Sequence, residues 1–131
     1  MAAQPTIRPG TIILAQVNDP TGKPAREHFA VVLNSQAEIE AGEDLRVAVC
    51  TTSFETPLRS GWFAIPTKPG GHAITGLGEA CVVKATWLQV VPQANVIKVR
   101  GRAPAAIVRQ IRNWLADKER AVKGDKNKPA E

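Results

Sequence analysis

Short apolar runs separated by polar or turn-forming residues dominate the first half of the chain. Strands are predicted at residues 11–18, 29–34 and 45–52, because each run is rich in β-branched residues and ends at turn signals. The second run, FAVVLN, is continuous and apolar, as is typical of a strand buried on both faces. The acidic connection of residues 35–44 is expected to be exposed.

The pattern changes after residue 52. Prolines and glycines crowd residues 55–78 and leave room for one short strand, at residues 62–65. Such a long, loop-rich excursion often carries function. Two more strands are predicted at residues 79–83 and 87–91, with a single helical turn between them at residues 84–86, and another strand at residues 95–99.

One amphipathic helix is predicted at the end, over residues 104–122. Pro104 suits the first helical position, and apolar residues recur at helical spacing to form one stripe that is expected to pack on the sheet. The stripe contains Ile107, Val108, Ile111, Trp114 and Leu115.

Many short strands followed by one helix predict a mainly β (α+β) fold, a small SH3-like β-barrel with a C-terminal amphipathic helix. A single domain is expected over residues 1–122. Residues 123–131 are expected to form a flexible basic tail, because they have too little apolar surface to offset the entropy of ordering. Trp87 and Trp114 are assigned to the core.

Composition agrees with one folded domain. The chain has 131 residues, of which 44% are hydrophobic and 22% charged, which favours neither a disordered nor a membrane protein. It has no run of about 18 apolar residues, and its N-terminus lacks the apolar core of a signal peptide, so a cytoplasmic location is expected. Cys50 and Cys81 lie in apolar runs without metal-ligand spacing and are expected to be reduced, buried thiols.

The net charge of +5 is unevenly distributed. The first 65 residues hold five Lys/Arg and seven Asp/Glu, whereas the remaining 66 hold twelve and five. Such asymmetry suits an anionic partner such as RNA, because cationic side chains release counterions from phosphates. The alternative is a solvated basic helix and tail.

Three short motifs occur in a specific order: DPTG at residues 19–22, AVVLN at residues 30–34 and VCTTS at residues 49–53. Together with residues 74–93 and the terminal helix, they resemble the PemK/MazF toxin family over most of residues 9–116; the related CcdB and Kid toxins share its barrel. The resemblance implies a metal-independent endoribonuclease that cuts single-stranded RNA at short sequences. It also implies a homodimer and a cognate antitoxin protein. No cofactor is expected, and the composition argues against a membrane partner.

The resemblance indicates where the catalytic residues lie. Family members place an arginine of the first loop and a threonine at the end of the third strand around the scissile phosphate. The 2′-hydroxyl attacks and leaves a cyclic phosphate. Thr51 takes the position of the threonine, whereas His28 and Phe29 stand where the family has an Arg-Pro pair.

Three catalytic candidates follow. Arg26 could reach the same pocket, since a guanidinium matches phosphate oxygens, and His28 could transfer protons, as histidine does near neutral pH. Thr51 could donate its hydroxyl to the phosphate. Each residue has an alternative interpretation. Arg26 could be a solvated loop charge, His28 a polar residue at a strand edge and Thr51 an ordinary strand threonine.

Four substrate-binding candidates surround them. Thr52 and Ser53 could donate to a phosphate, and Trp62 could stack on an unpaired base. His72 lies in a glycine-rich loop that could border the same cleft. Trp62 is equally suited to the barrel core or a dimer interface, and a loop histidine often has no catalytic role.

Two further functions remain open from the sequence. A non-catalytic nucleic-acid- or protein-binding module on the same barrel would explain the missing Arg-Pro pair. A poison of another protein, such as a DNA gyrase inhibitor with this architecture, is suggested by fold analogy alone.

Overall fold

The structure is a computed structural model that describes residues 6–18 and 25–127. Within these ranges the chain forms six strands and two α-helices, with a 3₁₀ turn at Gln93–Asn95. The DPTG motif lies outside the described residues. The strands are β1 (Thr11–Val17), β2 (Arg26–Val32), β3 (Leu45–Thr51), β4 (Trp62–Ile65), β5 (Cys81–Val91) and β6 (Lys98–Arg102); the helices are α1 (Gln36–Glu40) and α2 (Ala105–Asn127).

All six strands belong to one antiparallel sheet in the order β4-β5-β3-β2-β1-β6. The long strand β5 is shared: its first part pairs with β4 and with the end of β3, and its second part pairs with the start of β3. The predicted fold class is confirmed, because the chain is mostly strand and carries one main helix at its C-terminal end.

Both faces of the sheet are covered, which explains why strands such as β2 end in continuous apolar runs. One core cluster contains Ile12, Val31 and Ile111 and packs against the apolar stripe of α2, as predicted. We call the other group the second core; it contains Ile13, Val47 and Leu45, among others, with Trp87 at its margin.

Several predicted boundaries are wrong. The strand β2 begins at Arg26, three residues before the predicted start, and α1 lies within residues 35–44, held by a capping box between Ser35 and Glu38. The predicted helical turn at residues 84–86 does not exist, because β5 is continuous from Cys81 to Val91. The last strand is β6, three residues later than predicted at both ends.

The C-terminal helix also extends beyond the predicted end. Its backbone runs to Asn127, five residues further than expected, and residues 128–131 lie outside the described part of the chain. The division into a domain at residues 1–122 and a flexible tail at residues 123–131 stays a prediction.

The loop of residues 66–78 runs from β4 towards β5 along the chain, and its hydrogen bonds with β6 link the two edges of the sheet. It follows β4 at one edge and lies against β6 at the other, where Arg102 N donates to Ile74 O at 3.0 Å and Arg100 Nε donates to Gly76 O at 2.9 Å. Within the loop, Thr75 is fully buried and donates its hydroxyl to Pro66 O at 2.8 Å. This closing loop therefore covers the gap that an open sheet would leave.

His72 holds the turn of the closing loop. Its Nδ1 accepts hydrogen bonds from the backbone amides of Ile74 at 3.1 Å and Thr75 at 3.3 Å. The backbone amide of His72 also donates to Leu77 O at 3.1 Å. The ring thus satisfies amides that a turn leaves unpaired.

A Gly101→Ala variant is expected to be less stable by about 1–3 kcal/mol, the usual result of forcing atoms into a packed site. An added Cβ at Gly101 would meet the carbonyl oxygens of Ile74 and Thr75, the latter at 2.5 Å. Urea unfolding measures the loss. Gly78→Ala is the matched control, since its Cβ would make only ordinary contacts at 3.7 Å or more; equal stability of the two variants would contradict the close approach.

A His72→Ala variant is expected to lose about 1 kcal/mol, because two backbone donors lose their acceptor. His72→Asn should retain most of the stability, since its amide oxygen can accept the same bonds. Thermal unfolding of both variants checks this, and an alanine variant as stable as the wild type would show that the turn does not need the ring.

Candidate functional site

The catalytic candidates lie where the face of the second core becomes polar. Side chains alternate along a strand, so Arg26 and His28 share the face of Ala30, and Thr51 shares the face of Val49. Ala30 pairs with Val49 across β2 and β3. Continuing that register by two residues brings His28 level with Thr51, beyond the last hydrogen-bonded pair.

Thr51 ends β3 and is half-buried. Its Oγ1 accepts a hydrogen bond from Ser53 N at 3.1 Å and donates a long one to Ser53 O at 3.4 Å. The hydroxyl thus shapes the turn that leaves the strand. A hydroxyl has one donor and two acceptor sites, so donation to a ligand would replace the long bond to Ser53 O while the bond from Ser53 N stays in place.

Arg26 is exposed at the first residue of β2, paired through the backbone with Val17. Among the hydrogen bonds of the described residues, none joins Arg26, His28 and Thr51 to one another. The fold therefore brings the three side chains to one end of one face without fixing their mutual contacts.

A row of aromatic and cationic side chains lies beside them. The rings of His28 and Trp87 meet edge to face with centroids 5.1 Å apart. Lys84 Nζ lies 5.6 Å from the Trp87 ring and 4.3 Å from the Trp62 ring, and the Arg59 guanidinium lies 5.5 Å from the Trp62 ring. We call these five residues the cation–aromatic row; such contacts are attractive because the ring faces are electron-rich.

One end of the row, formed by Arg59 and Trp62, lines a cleft of about 580 Å³ at the connection between β3 and β4. Two predicted substrate-binding residues, Ser53 and Trp62, line it together with Arg59 and Glu55. Trp62 is fixed there, since its Nε1 donates to Thr86 Oγ1 at 3.2 Å. A half-buried indole at the wall of a polar cleft suits the stacking of an unpaired base.

The other two substrate-binding candidates lie elsewhere. Thr52 points to the opposite face of the sheet and lines a smaller cavity of about 270 Å³ with Phe29 and Arg100. His72 lies in the closing loop, where its Nδ1 is already occupied. The structure thus joins Ser53 and Trp62 in one cleft but not Thr52 or His72.

The sequence did not indicate Lys84, Arg59 or the role of Trp87. The assignment of Trp87 to the core is only partly right: the residue is half-buried at the margin of the second core, and its Nε1 is buried with no hydrogen-bond partner in the described structure. The interpretation of residues 84–86 as a helical turn hid Lys84. A continuous strand through CVVKATW would have placed Lys84 opposite Trp62 on β4.

The two cysteines lie behind the site, in the first core cluster. Both are free and buried. A hydrogen bond with Cys81, together with burial, raises the pKa of the Cys50 thiol. Cys50 is therefore a neutral thiol that packs as a small apolar group.

Two properties of the described residues bear on other kinds of site. No group of three or more His, Cys, Asp or Glu side chains within residues 6–18 and 25–127 is arranged to hold a metal ion. No helix in the same ranges is long and apolar enough to cross a membrane.

Solved structures with this fold include endoribonucleases. One from a mycobacterial species, at 16% identity and a TM-score of 0.61, covers 87% of this chain and 91% of its own. Another, described as an endoribonuclease in complex with its cognate antitoxin from a mycobacterial species, has 19% identity, a TM-score of 0.60 and coverages of 86% and 93%. At these identities the likeness shows the fold.

A third similar structure is the Mycobacterium tuberculosis toxin MazF-mt6, at 16% identity and a TM-score of 0.62, with 82% of this chain and 93% of the toxin covered. A comparison with curated protein sequences finds no match. The sequence comparison with protein families is decisive, because the match spans residues 8–118. The chain belongs to the PemK-like, MazF-like toxins of type II toxin-antitoxin systems.

Proposed function

We propose that this toxin is a metal-independent endoribonuclease that cleaves single-stranded RNA at specific sequences in the cytoplasm. The observation that carries the proposal is the position of His28 and Thr51 at one end of one sheet face, beside a cleft with cationic and aromatic walls. RNA cleavage needs these groups: a proton acceptor, hydrogen-bond donors and positive charge near phosphorus.

The proposed reaction is an internal transfer at phosphorus. The 2′-oxygen attacks the adjacent phosphorus and the bond from phosphorus to the 5′-oxygen breaks, which leaves a cyclic phosphate and a 5′-hydroxyl. His28 accepts the 2′-hydroxyl proton, and the same imidazole or water returns a proton to the leaving oxygen. Thr51 donates its hydroxyl to a non-bridging phosphate oxygen, and Arg26 supplies charge from the edge of the site.

Packing supports the role of His28. The edge-to-face contact with Trp87 holds the imidazole at the margin of the second core rather than inside it. A proton-transferring ring must be fixed in direction yet reachable by substrate. The half-buried state of His28 meets both conditions.

Substrate binding is proposed at the cleft of Ser53 and Trp62, with Trp62 stacking on a base. For Thr52 and His72 the geometry offers no support beyond the sequence hypothesis, since they lie on the opposite face and in the closing loop. The excess of Lys and Arg in the second half of the chain also favours RNA as the partner, because RNA is a polyanion.

Two protein partners complete the proposal: a cognate antitoxin and a second copy of the chain in a homodimer. Related structures include one described as an endoribonuclease with its cognate antitoxin and one described as MazE-MazF from Deinococcus radiodurans. This chain exposes Leu88 and Val90 at 48% and 62% beside the groove between β5 and α2. Adjacent exposed apolar residues along a groove are typical of protein interfaces.

A non-catalytic binding module is the second candidate function. The hydrogen bond between Thr51 and Ser53, together with the exposed position of Arg26, favours it. In that case the cleft would bind RNA or protein without cutting it. Cleavage assays separate the two functions.

Thr51→Ala is expected to reduce RNA cleavage by about 10²–10³-fold, the usual effect of removing one donor to a developing charge. Thr51→Ser keeps the hydroxyl and should retain most of the activity. The assay uses long single-stranded RNA in EDTA, with new ends mapped by primer extension and folding checked by circular dichroism. Equal cleavage by folded wild type and alanine variant would remove Thr51 from the mechanism.

His28→Gln is expected to lower the single-turnover cleavage rate by about 10²-fold or more, since general acid–base catalysis contributes that much. Arg26→Gln should act more weakly, because its side chain is exposed and has no fixed contact to Thr51. The ratio of the two losses is the readout. A greater loss of cleavage rate in Arg26→Gln than in His28→Gln would show that Arg26 has the larger role and would contradict the roles proposed for the two residues.

A further inference from the structure

We propose that Lys84, held between the indole rings of Trp62 and Trp87, is the cation that binds the RNA phosphate next to Thr51. The inference rests on the proposed ribonuclease function and adds a residue to its site. It also assigns Trp62 and Trp87 as positioning residues for that charge. The three short motifs on which the family resemblance rests contain none of these three residues.

Strand register brings Lys84 to the site. Thr51 pairs with Val82 across β3 and β5, and Lys84 is two residues further along β5, on the same face. Diagonal neighbours of this kind have Cα atoms about 7–8 Å apart, within reach of a long side chain. On the other side, Lys84 pairs with Trp62 of β4. Lys84 therefore stands between the proposed catalytic threonine and the proposed stacking residue.

The two indoles fix the ammonium group. Lys84 Nζ is 4.3 Å from the Trp62 ring centre and 5.6 Å from that of Trp87. Lysine normally loses much rotamer entropy when it is held in one position, and here the ring contacts offset that loss in advance of ligand binding. A charge already in place costs no reorganisation when the transition state forms.

The ammonium group remains available to a ligand. It has three N–H donors and no acceptor, and ring faces use it as a charge rather than as a hydrogen-bond partner. Within the described residues, no carboxylate forms an ion pair with Lys84, whereas Arg46 pairs with Glu38 and Arg120 pairs with Asp117. A non-bridging phosphate oxygen would supply the missing anionic partner.

The neighbours of Lys84 fit a nucleic-acid strand. Trp62 lines the cleft with Ser53, and Arg59 adds a second positive charge at the rim, while Glu55 contributes one negative charge. A base stacked on Trp62 would carry its phosphate past Lys84 toward Thr51. Alternation of aromatic surface and positive charge is the general pattern of single-strand binding.

Arg26 fits this role less well. It is exposed at the start of β2 and makes no recorded side-chain contact among the described residues, so its guanidinium is not held near Thr51. Lys84, by contrast, lies on β5, the strand next to Thr51, and its ammonium group is held by two indole rings. The geometry therefore assigns the fixed positive charge of the site to Lys84.

The test compares Lys84→Met with Lys118→Met. Lys118 on α2 is a matched control, because its Nζ also lies over an indole, 5.2 Å from the Trp114 ring, but on another part of the molecule. Both variants lose one charge and its contacts with indole rings, which are those of Trp62 and Trp87 for Lys84 and that of Trp114 for Lys118. Two readouts are taken: single-turnover cleavage of single-stranded RNA in EDTA, and binding of the same RNA with a 2′-deoxy nucleotide at the cut site over a range of salt concentrations.

Lys84→Met should slow cleavage by about 10²-fold or more and reduce the slope of log affinity against log salt by about 0.7, the value for one phosphate contact on a single strand. Lys84→Arg should keep the wild-type slope, and Lys118→Met should match the wild type in both readouts. Trp62→Leu should weaken binding and slow cleavage while it leaves the slope unchanged, because the ammonium group keeps its charge but loses a ring that holds it in position. Lys84→Gln serves as a second neutral variant if Lys84→Met does not fold.

The outcomes separate the two proposals. In one outcome the wild type cuts RNA, and folded Lys84→Met cuts equally fast and has the same slope of log affinity against log salt. That result would overturn the role of Lys84 but would leave the ribonuclease proposal intact. A wild-type protein that binds without cutting, with a slope that depends on Lys84, would support the phosphate site and contradict the ribonuclease. Absence of both binding and cleavage would overturn both proposals.

Discussion

The pairing of β3 with β5 is the constraint on which the candidate site depends. Ala48 pairs with Leu88 and Cys50 pairs with Val83, so four residues of β5 lie opposite a single residue of β3. Extra residues of this kind bend a strand and change the direction of its side chains. In a regular strand, residues three apart point to opposite faces, yet Lys84 Nζ lies over the Trp87 ring. The register shift thus creates the cation–aromatic row.

The same pairing links stability to function. On either side of the irregularity the pairing is regular. One pair, Cys50 and Val83, is buried on the side of α2, and another, Leu45 and Val91, is buried on the opposite face. The closing loop then completes the core where β4 and β6 leave the sheet open. In the irregular middle of β5, Ala85 is buried in the core on the side of α2, while Lys84 and Trp87 are half-buried. The buried residue anchors the segment that carries the charge, and a preorganised charge requires such a frame.

Much of the fold was predictable from the sequence, and the reasons are local. The valine-rich run of β3 and the short segment of β4 between glycine and proline gave the right strands, and the helical spacing of the stripe from Ile107 to Leu115 gave the right face of α2. The prediction failed in β5, because Lys84 and Thr86 interrupt the apolar run. Cross-strand partners, which no local pattern contains, decided that segment in favour of a strand.

The candidate site was less predictable for the same reason. Thr51, Ser53 and Trp62 follow from motif order and residue type, and the structure places the latter two in one cleft. Lys84 and Arg59 have no local signal, since their importance comes from indoles on other segments of the chain. His72 shows the opposite case: a chemically capable residue whose nitrogen is used by its own turn.

In the proposed reaction the phosphoryl group is transferred to the 2′-oxygen of the RNA, with the toxin's own side chains as the only catalysts. Mass spectrometry of the fragments released from single-stranded RNA in EDTA tests it most directly. Transfer to the 2′-oxygen leaves a cyclic phosphate at one new end and a 5′-hydroxyl at the other, and these are the expected products. Intact RNA, or fragments with a 5′-phosphate, would contradict it.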